Sequence, residues 1–170
     1  MKAARVILAI AIALALQTTL ARFVMRGTVA VDLVLVAVVY VALTGGAVTG
    51  LLAGSTAGLV QDSLATGVIG IGGLAKTIVG FLVGIVGTQF IVAQPLPRFV
   101  VFFAATVLHQ AITLGLGALV DHRPFGTPYA AVGGQAVANA LVGVVAFQFV
   151  ELLPGAVERR RMAKTSKLRR

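Results

Sequence analysis

Residues 45–58 read GGAVTGLLAGSTAG, and Gly46, Gly50, Gly54 and Gly58 recur in this stretch every four residues. That spacing lays the glycines along one face of a helix. In water each would cost up to about 1 kcal/mol relative to alanine. In lipid the same stripe is useful, because helices there associate through close backbone packing, which small residues permit.

The rest of the composition agrees with a lipid setting. The chain has 170 residues, of which 59% are hydrophobic and only 11% charged. A soluble domain carries about a quarter charged residues, so too little polar material is present to cover a water-facing surface. Cysteine is absent, which excludes a disulfide framework and thiolate chemistry. The net charge of +9 does not point to nucleic acid, because seven of the fourteen basic residues lie in the last twelve positions. They form one appendage with no basic face elsewhere.

Six apolar segments follow from hydropathy and its interruptions, given that a span needs roughly 20 residues. The first runs from Ala4 to Ala21. Lys2, Arg5 and Thr19-Leu20-Ala21 also fit a signal peptide, but the remaining chain is equally membranous, so a retained span is the better reading. Val29–Leu43 is broken by Thr44-Gly45-Gly46, and the glycine stripe continues to Val60. These two segments form either two short helices or a re-entrant hairpin. After the polar Gln61-Asp62-Ser63, a fourth segment runs from Ile71 to Ala93 and ends at Gln94-Pro95-Leu96-Pro97-Arg98. The fifth is Phe99–Val120. A turn-rich loop, 121–128, precedes the sixth, Tyr129–Leu153, which Pro154-Gly155 closes. No alternating strand pattern of the barrel type is seen, so helices are the remaining way to cross lipid. The expected fold is an all-α, six-helix transmembrane bundle over 1–155 with a basic cytoplasmic tail over 156–170.

Lys and Arg set the orientation. One side holds Lys2, Arg5, Arg98 and the seven tail residues; the other holds Arg22, Arg26 and Arg123. Both termini are therefore expected in the cytoplasm. The tail residues Arg159, Arg160, Arg161, Lys164, Lys167, Arg169 and Arg170 fix topology and face anionic headgroups; a specific cytoplasmic partner is a further option.

Three small-residue faces are candidate grooves for internal packing or for a partner helix. They are the stripe itself, the set Gly72, Gly80 and Gly84 with Lys76 in the missing register place, and Ala9 with Ala13 on the first span. Among polar residues Lys76 stands out, since an ionisable group inside lipid normally has a partner. Asp62, at the end of the third span, is the expected partner; a ligand or ion site and snorkelling of the lysine are the alternatives. Asp32, at the outer end of span two, is expected to cap that helix or to meet a periplasmic partner, with Arg22 and Arg26 within reach. His109 and Gln110 are read as packing residues. Gln135 and Asn139 should share a face with Gly143 and act as interhelical glue.

Enzyme readings are weak. The two histidines lack metal-ligand companions. Ser55 and His109 would make an intramembrane hydrolase dyad only if something held them together. The glycines at 70, 72 and 73 do not form a phosphate loop. No cofactor or metal site is expected.

An ordered set of features resembles a known family. Gln17-Thr18-Thr19-Leu20 ends span one, and Val31-Asp32-Leu33 begins span two. Gly50 and Gly54 lead into Gly58-Leu59-Val60-Gln61-Asp62. The turn Gly67–Gly73 precedes Leu74-Ala75-Lys76 and Val79-Gly80-Phe81-Leu82-Val83-Gly84. This order resembles the bacterial rod shape-determining protein family MreD, best over residues 15–90; Val31 and Thr66-Gly67 stand where that family usually has proline. The resemblance implies a non-enzymatic subunit of the cell-wall elongation machinery in the bacterial inner membrane. The implied partner is MreC, and through it the MreB filament and the RodA–penicillin-binding-protein synthase, with an influence on peptidoglycan synthesis and cell shape. It also implies a fold similar to the substrate-binding subunits of energy-coupling-factor vitamin transporters. Such a transporter subunit is the competing function. It would need a pocket rich in polar and aromatic groups, whereas this chain has no tryptophan and two tyrosines, Tyr40 and Tyr129.

Overall fold

The computed structural model describes residues 2–24, 31–65, 68–89, 94–121 and 129–167. They form six helices and, among them, no strand: α1 (Lys2–Val24), α2 (Leu33–Gly45), α3 (Ala47–Leu64), α4 (Ile71–Gln89), α5 (Pro95–Asp121) and α6 (Tyr129–Lys167). Among the described residues three stretches, Ile71–Gln89, Pro95–Val120 and Ala130–Glu151, are long and apolar enough to cross a membrane. Large apolar side chains such as Ile7, Leu52, Leu96, Leu119 and Phe149 point outward, while much of the interior is valine and alanine. A water-soluble domain would show the reverse. In lipid, large residues outside and small ones inside are what close helix packing requires.

α2 is the centre of the bundle and touches every other helix. It is apolar all round, and Val34, Leu35, Val36, Val38, Val39, Val41 and Ala42 are all buried; such a helix belongs inside a structure. A single residue, Gly46, joins it to α3. Gly46 has φ +84, a region that glycine enters without strain. The chain therefore reverses there, and α2 and α3 are two separate antiparallel helices.

The stripe then meets α4. A Cβ on Gly50 would collide with the carbonyl of Gly80, one on Gly54 with the carbonyl of Lys76, and one on Gly58 would stand 2.6 Å from the Cα of Gly73. From the other side, a Cβ on Gly84 would collide with the backbone of Ala47. The two glycine faces are thus a single antiparallel seam inside the molecule. Gly46 ends the seam: a Cβ on it would meet only the Thr88 side chain, but its carbonyl carbon is 2.6 Å from where a Cβ on Gly84 would stand. Ala13 packs with Val34, Val38 and Ala57, so this point of the α1 face is also internal; Ala9 is half-buried.

Two expected helix ends differ. Pro95 and Pro97 start α5: proline fits the first turn of a helix, where its missing N–H has no partner to lose. Pro154-Gly155 does not end α6, which continues to Lys167. One proline removes a single backbone hydrogen bond, and the residues that follow include Arg, Lys, Ala, Met and Glu, which are strong helix formers. At 1.5 Å per residue, α6 is about 58 Å long, well beyond the roughly 30 Å hydrocarbon core. The tail therefore extends that helix up to Lys167. Side chains beyond Glu151 are not described, and Arg169 and Arg170 lie outside the described residues.

Candidate functional site: a buried polar network

Lys76 lies five residues into α4 and is 3% exposed. Its ammonium is 3.0 Å from Asp32 Oδ2 and 3.1 Å from His109 Nε2. An ammonium can only donate, so the histidine nitrogen is the acceptor in this pair. The other oxygen of Asp32 accepts the backbone N–H of Leu35 at 2.9 Å, capping α2. The backbone N–H of Asp32 donates to Asn139 Oδ1 at 2.9 Å. Asn139 in turn donates to Thr106 Oγ1 at 3.2 Å, whose hydroxyl bonds the Phe102 carbonyl. Gln17 of α1 clamps the start of α2, donating to the Val31 carbonyl and accepting from the Leu33 N–H. Four other helices therefore converge on the first turn of α2.

This corrects two expectations. Lys76 pairs with Asp32, and Asp62 is not its partner. Asp62 Oδ2 accepts the backbone N–H groups of Gly70 and Gly73, both at 2.9 Å. It fills the N-terminal end of α4, where unsatisfied donors and the helix dipole favour a carboxylate. A Cβ on Gly72 would collide with its Oδ1, which accounts for that glycine. Nor is Asp32 on an outer face: it is 7% exposed. The reason is that α2 starts deep, level with Lys76, with His109 near the middle of α5 and with Asn139 near the middle of the apolar stretch Ala130–Glu151 of α6. Arg26 lies outside the described residues, and the Arg22 side chain is not described.

Gln135 bonds to Gln110, and a Cβ on Gly143 would meet the Phe102 ring, so Gln135, Asn139 and Gly143 all address α5. Ser55 donates to the Leu52 carbonyl of its own helix, and α3 and α5 are not neighbours among the described residues. The Ser55–His109 dyad is not assembled.

A second cluster closes the opposite end. Arg98 is buried and makes a bidentate pair with Glu151 at 2.7 and 2.8 Å. Its guanidinium lies 4.0 Å from the centroid of the Phe147 ring, which Tyr40 meets edge-on at 4.9 Å. Sequence reading uses Arg98 only for topology and passes over Glu151. A separation of 53 residues leaves no local signal.

A family model described as rod shape-determining protein MreD matches residues 2–153. No curated protein and no solved structure matches the chain.

Proposed function

Because the chain belongs to the MreD family of rod shape-determining membrane proteins, we propose that it acts as a non-enzymatic scaffold of the cell-wall elongation complex. In this reading it sits in the bacterial inner membrane with both termini in the cytoplasm and holds MreC. Through MreC it influences the MreB-linked RodA–penicillin-binding-protein synthase and peptidoglycan synthesis. The observation that carries the reading is the match over residues 2–153. The hydrogen-bonding pattern supports it: Gln17, Asp32, Lys76, His109 and Asn139 tie five helices together, the arrangement of a rigid frame.

The packing also favours one place for a partner helix. The α3–α4 glycine seam is filled by the chain itself. Among the described residues, α1 packs only on α2 and α3, and α6 only on α2 and α5. Between α1 and α6 one stripe of α2 is left less covered: Leu33, Ala37, Tyr40 and Thr44, at spacings of four, three and four. We place the MreC transmembrane helix against this stripe and α1.

Photo-crosslinking residues at Ala37 and at Leu52 test both levels. Capture of MreC from Ala37 and not from the lipid-facing Leu52 is the expected result. Mild-detergent purification that recovers no MreC would overturn the scaffold reading. Recovery of ATPase subunits with a tightly bound small molecule would replace it with the transporter one.

A further inference from the structure

The α5–α6 hairpin is tied within itself more firmly than it is tied to α4. α5 and α6 share polar links at three heights: Arg98 with Glu151, Thr106 with Asn139, and Gln110 with Gln135. α3 and α4 interlock backbone to backbone along the glycine seam. Between α4 and α5, by contrast, the described residues make one hydrogen bond, from the Lys76 ammonium to His109 Nε2. The rest of that boundary is side chains such as Val79 and Val83 against Phe102 and Ala105, whose packing is not directional. Nearby, the Asp32 N–H donates to Asn139, which holds α6 to α2 and leaves α5 its own single link to α4.

That link has a particular chemistry. His109 Nε2 accepts from Lys76 only while its lone pair is free of a proton; a doubly protonated ring has two donors and no acceptor. Among the described residues, the ionisable groups that face the ring are Lys76 of α4 and Asp32 of α2. α6 offers the neutral Asn139 and Gln135, and α1 the neutral Gln17. Asp62 of α3 is the next acid, and its Oδ2 is already taken by the Gly70 and Gly73 amides. A proton on His109 would therefore place a second cation beside the ammonium, with Asp32 alone to balance the two. Lys76 is 3% exposed and His109 7%, so the pair is shut off from water while it is closed, and like charges there are screened little.

We propose that the Lys76–His109 contact is an acid-sensitive latch: a proton taken up by His109 frees α5 from α4, and the α5–α6 hairpin swings as one piece about the Asp32–Asn139 bond while the α3–α4 seam holds. The proton comes from solvent as α5 moves off, and it goes to the nitrogen that Lys76 has vacated. The closed form holds His109 without its second proton. The open form exposes an imidazole, which in water takes one up at about pH 6.5. The open form therefore gains population as pH falls below about 6.5, by up to about tenfold per pH unit for a single proton, and its population is flat above that. The scaffold reading needs no such movement, and the latch does not rest on it.

The chain has no cysteine and two histidines, His109 and His122. In a His122→Gln parent, His109 is the one side chain that ordinarily titrates between about pH 5 and pH 8. Spin labels on Ile78→Cys of α4 and Val107→Cys of α5, both exposed on the outside of the bundle, read the α4–α5 separation by double electron–electron resonance in phosphatidylcholine nanodiscs. Leu52→Cys with Ile78→Cys reads the α3–α4 seam, and Val107→Cys with Leu141→Cys reads the α5–α6 pair. As pH falls from about 7.5 to about 5, a longer-distance population should grow in the α4–α5 pair only, by up to about tenfold per pH unit. His109→Gln keeps an oxygen acceptor for Lys76 and takes up no proton in this range, so it should abolish the growth; His109→Asn takes its place if the glutamine variant does not elute as a single species. A parent α4–α5 distance unchanged across this range, equal growth in the histidine variant, or parallel growth in the α3–α4 or α5–α6 pair would overturn the proposal.

Discussion

Gly50 and Gly80 each occupy the space that the other's side chain would need: a Cβ on either would collide with the carbonyl oxygen of its counterpart. The contact is reciprocal, and backbone lies on both sides of it. Neither helix has a flexible side-chain end at this point that could move aside. The same holds one turn on, where Gly54 faces the carbonyl of Lys76. The seam therefore fixes the height of α4 against α3, and with it the height at which the Lys76 ammonium meets Asp32.

Substituting Gly54 by leucine is expected to break the bundle. Overpacking typically costs about 1–3 kcal/mol and occasionally more. With backbone on the opposing side, the cost here should reach the top of that range or exceed it. Gly115→Leu is the contrast, because a Cβ there meets nothing within 4 Å. Thermal unfolding in mild detergent, followed by size-exclusion chromatography, should show an early loss of the monodisperse peak for Gly54→Leu only. Equal melting of the two variants would contradict the packing described.

Lys76→Met should be among the most damaging single changes, because it leaves Asp32 buried without its counter-charge. Removing one partner of a buried pair costs about 3–5 kcal/mol. In the double variant Asp32→Asn with Lys76→Met, the side-chain oxygen can still accept from Leu35 and no charge is left. The double variant should be more stable than Lys76→Met alone. A double-mutant cycle on detergent unfolding checks this, and additive losses would refute the pairing.

Asp62→Ala is expected to cost about 1–2 kcal/mol, the range for a lost helix N-terminal acceptor. Asp62→Asn, which retains an oxygen acceptor, should lie nearer the parent protein. Both should be milder than Lys76→Met. If Asp62→Ala proved as damaging as the lysine change, the separation of the two sites described above would fail.

Arg98→Lys should lose more than a conservative replacement suggests. Lysine cannot make the two parallel hydrogen bonds to Glu151 and stacks less well on Phe147. Because Glu151 is half exposed, the loss should be about 1 kcal/mol, and it should shrink as salt rises. Melting curves at low and high ionic strength would show whether the gap between the parent protein and the Arg98→Lys variant narrows.

The sequence made the class of fold and the glycine seam legible, because lipid-facing composition and a four-residue spacing both act locally along a helix. It did not reveal which helix would meet the stripe's face, since a groove and its filling are separated by the fold. Asp62 looks like the partner of Lys76 because it is close in the chain and α3 and α4 are adjacent. The true partner lies 44 residues away from Lys76, brought there by the depth at which α2 begins. Hydropathy reports that a segment is apolar and says nothing of the level at which it starts. Pro95 and Pro154 mislead for a related reason: a proline marks a disturbance, while its place in the first turn or mid-helix decides the outcome.

The pairing of Asp32 with Lys76 has a consequence for how the chain is made. A ribosome delivers residues from the N-terminus, so the acid reaches the bilayer before the base exists. Its carboxylate is meanwhile sheltered by a donor only three residues ahead, the Leu35 amide, and the segment around it by Gln17, already translated. When α4 follows, its lysine arrives at a bilayer that already holds the opposite charge. The order of translation thus spares the cation a solitary passage into oil.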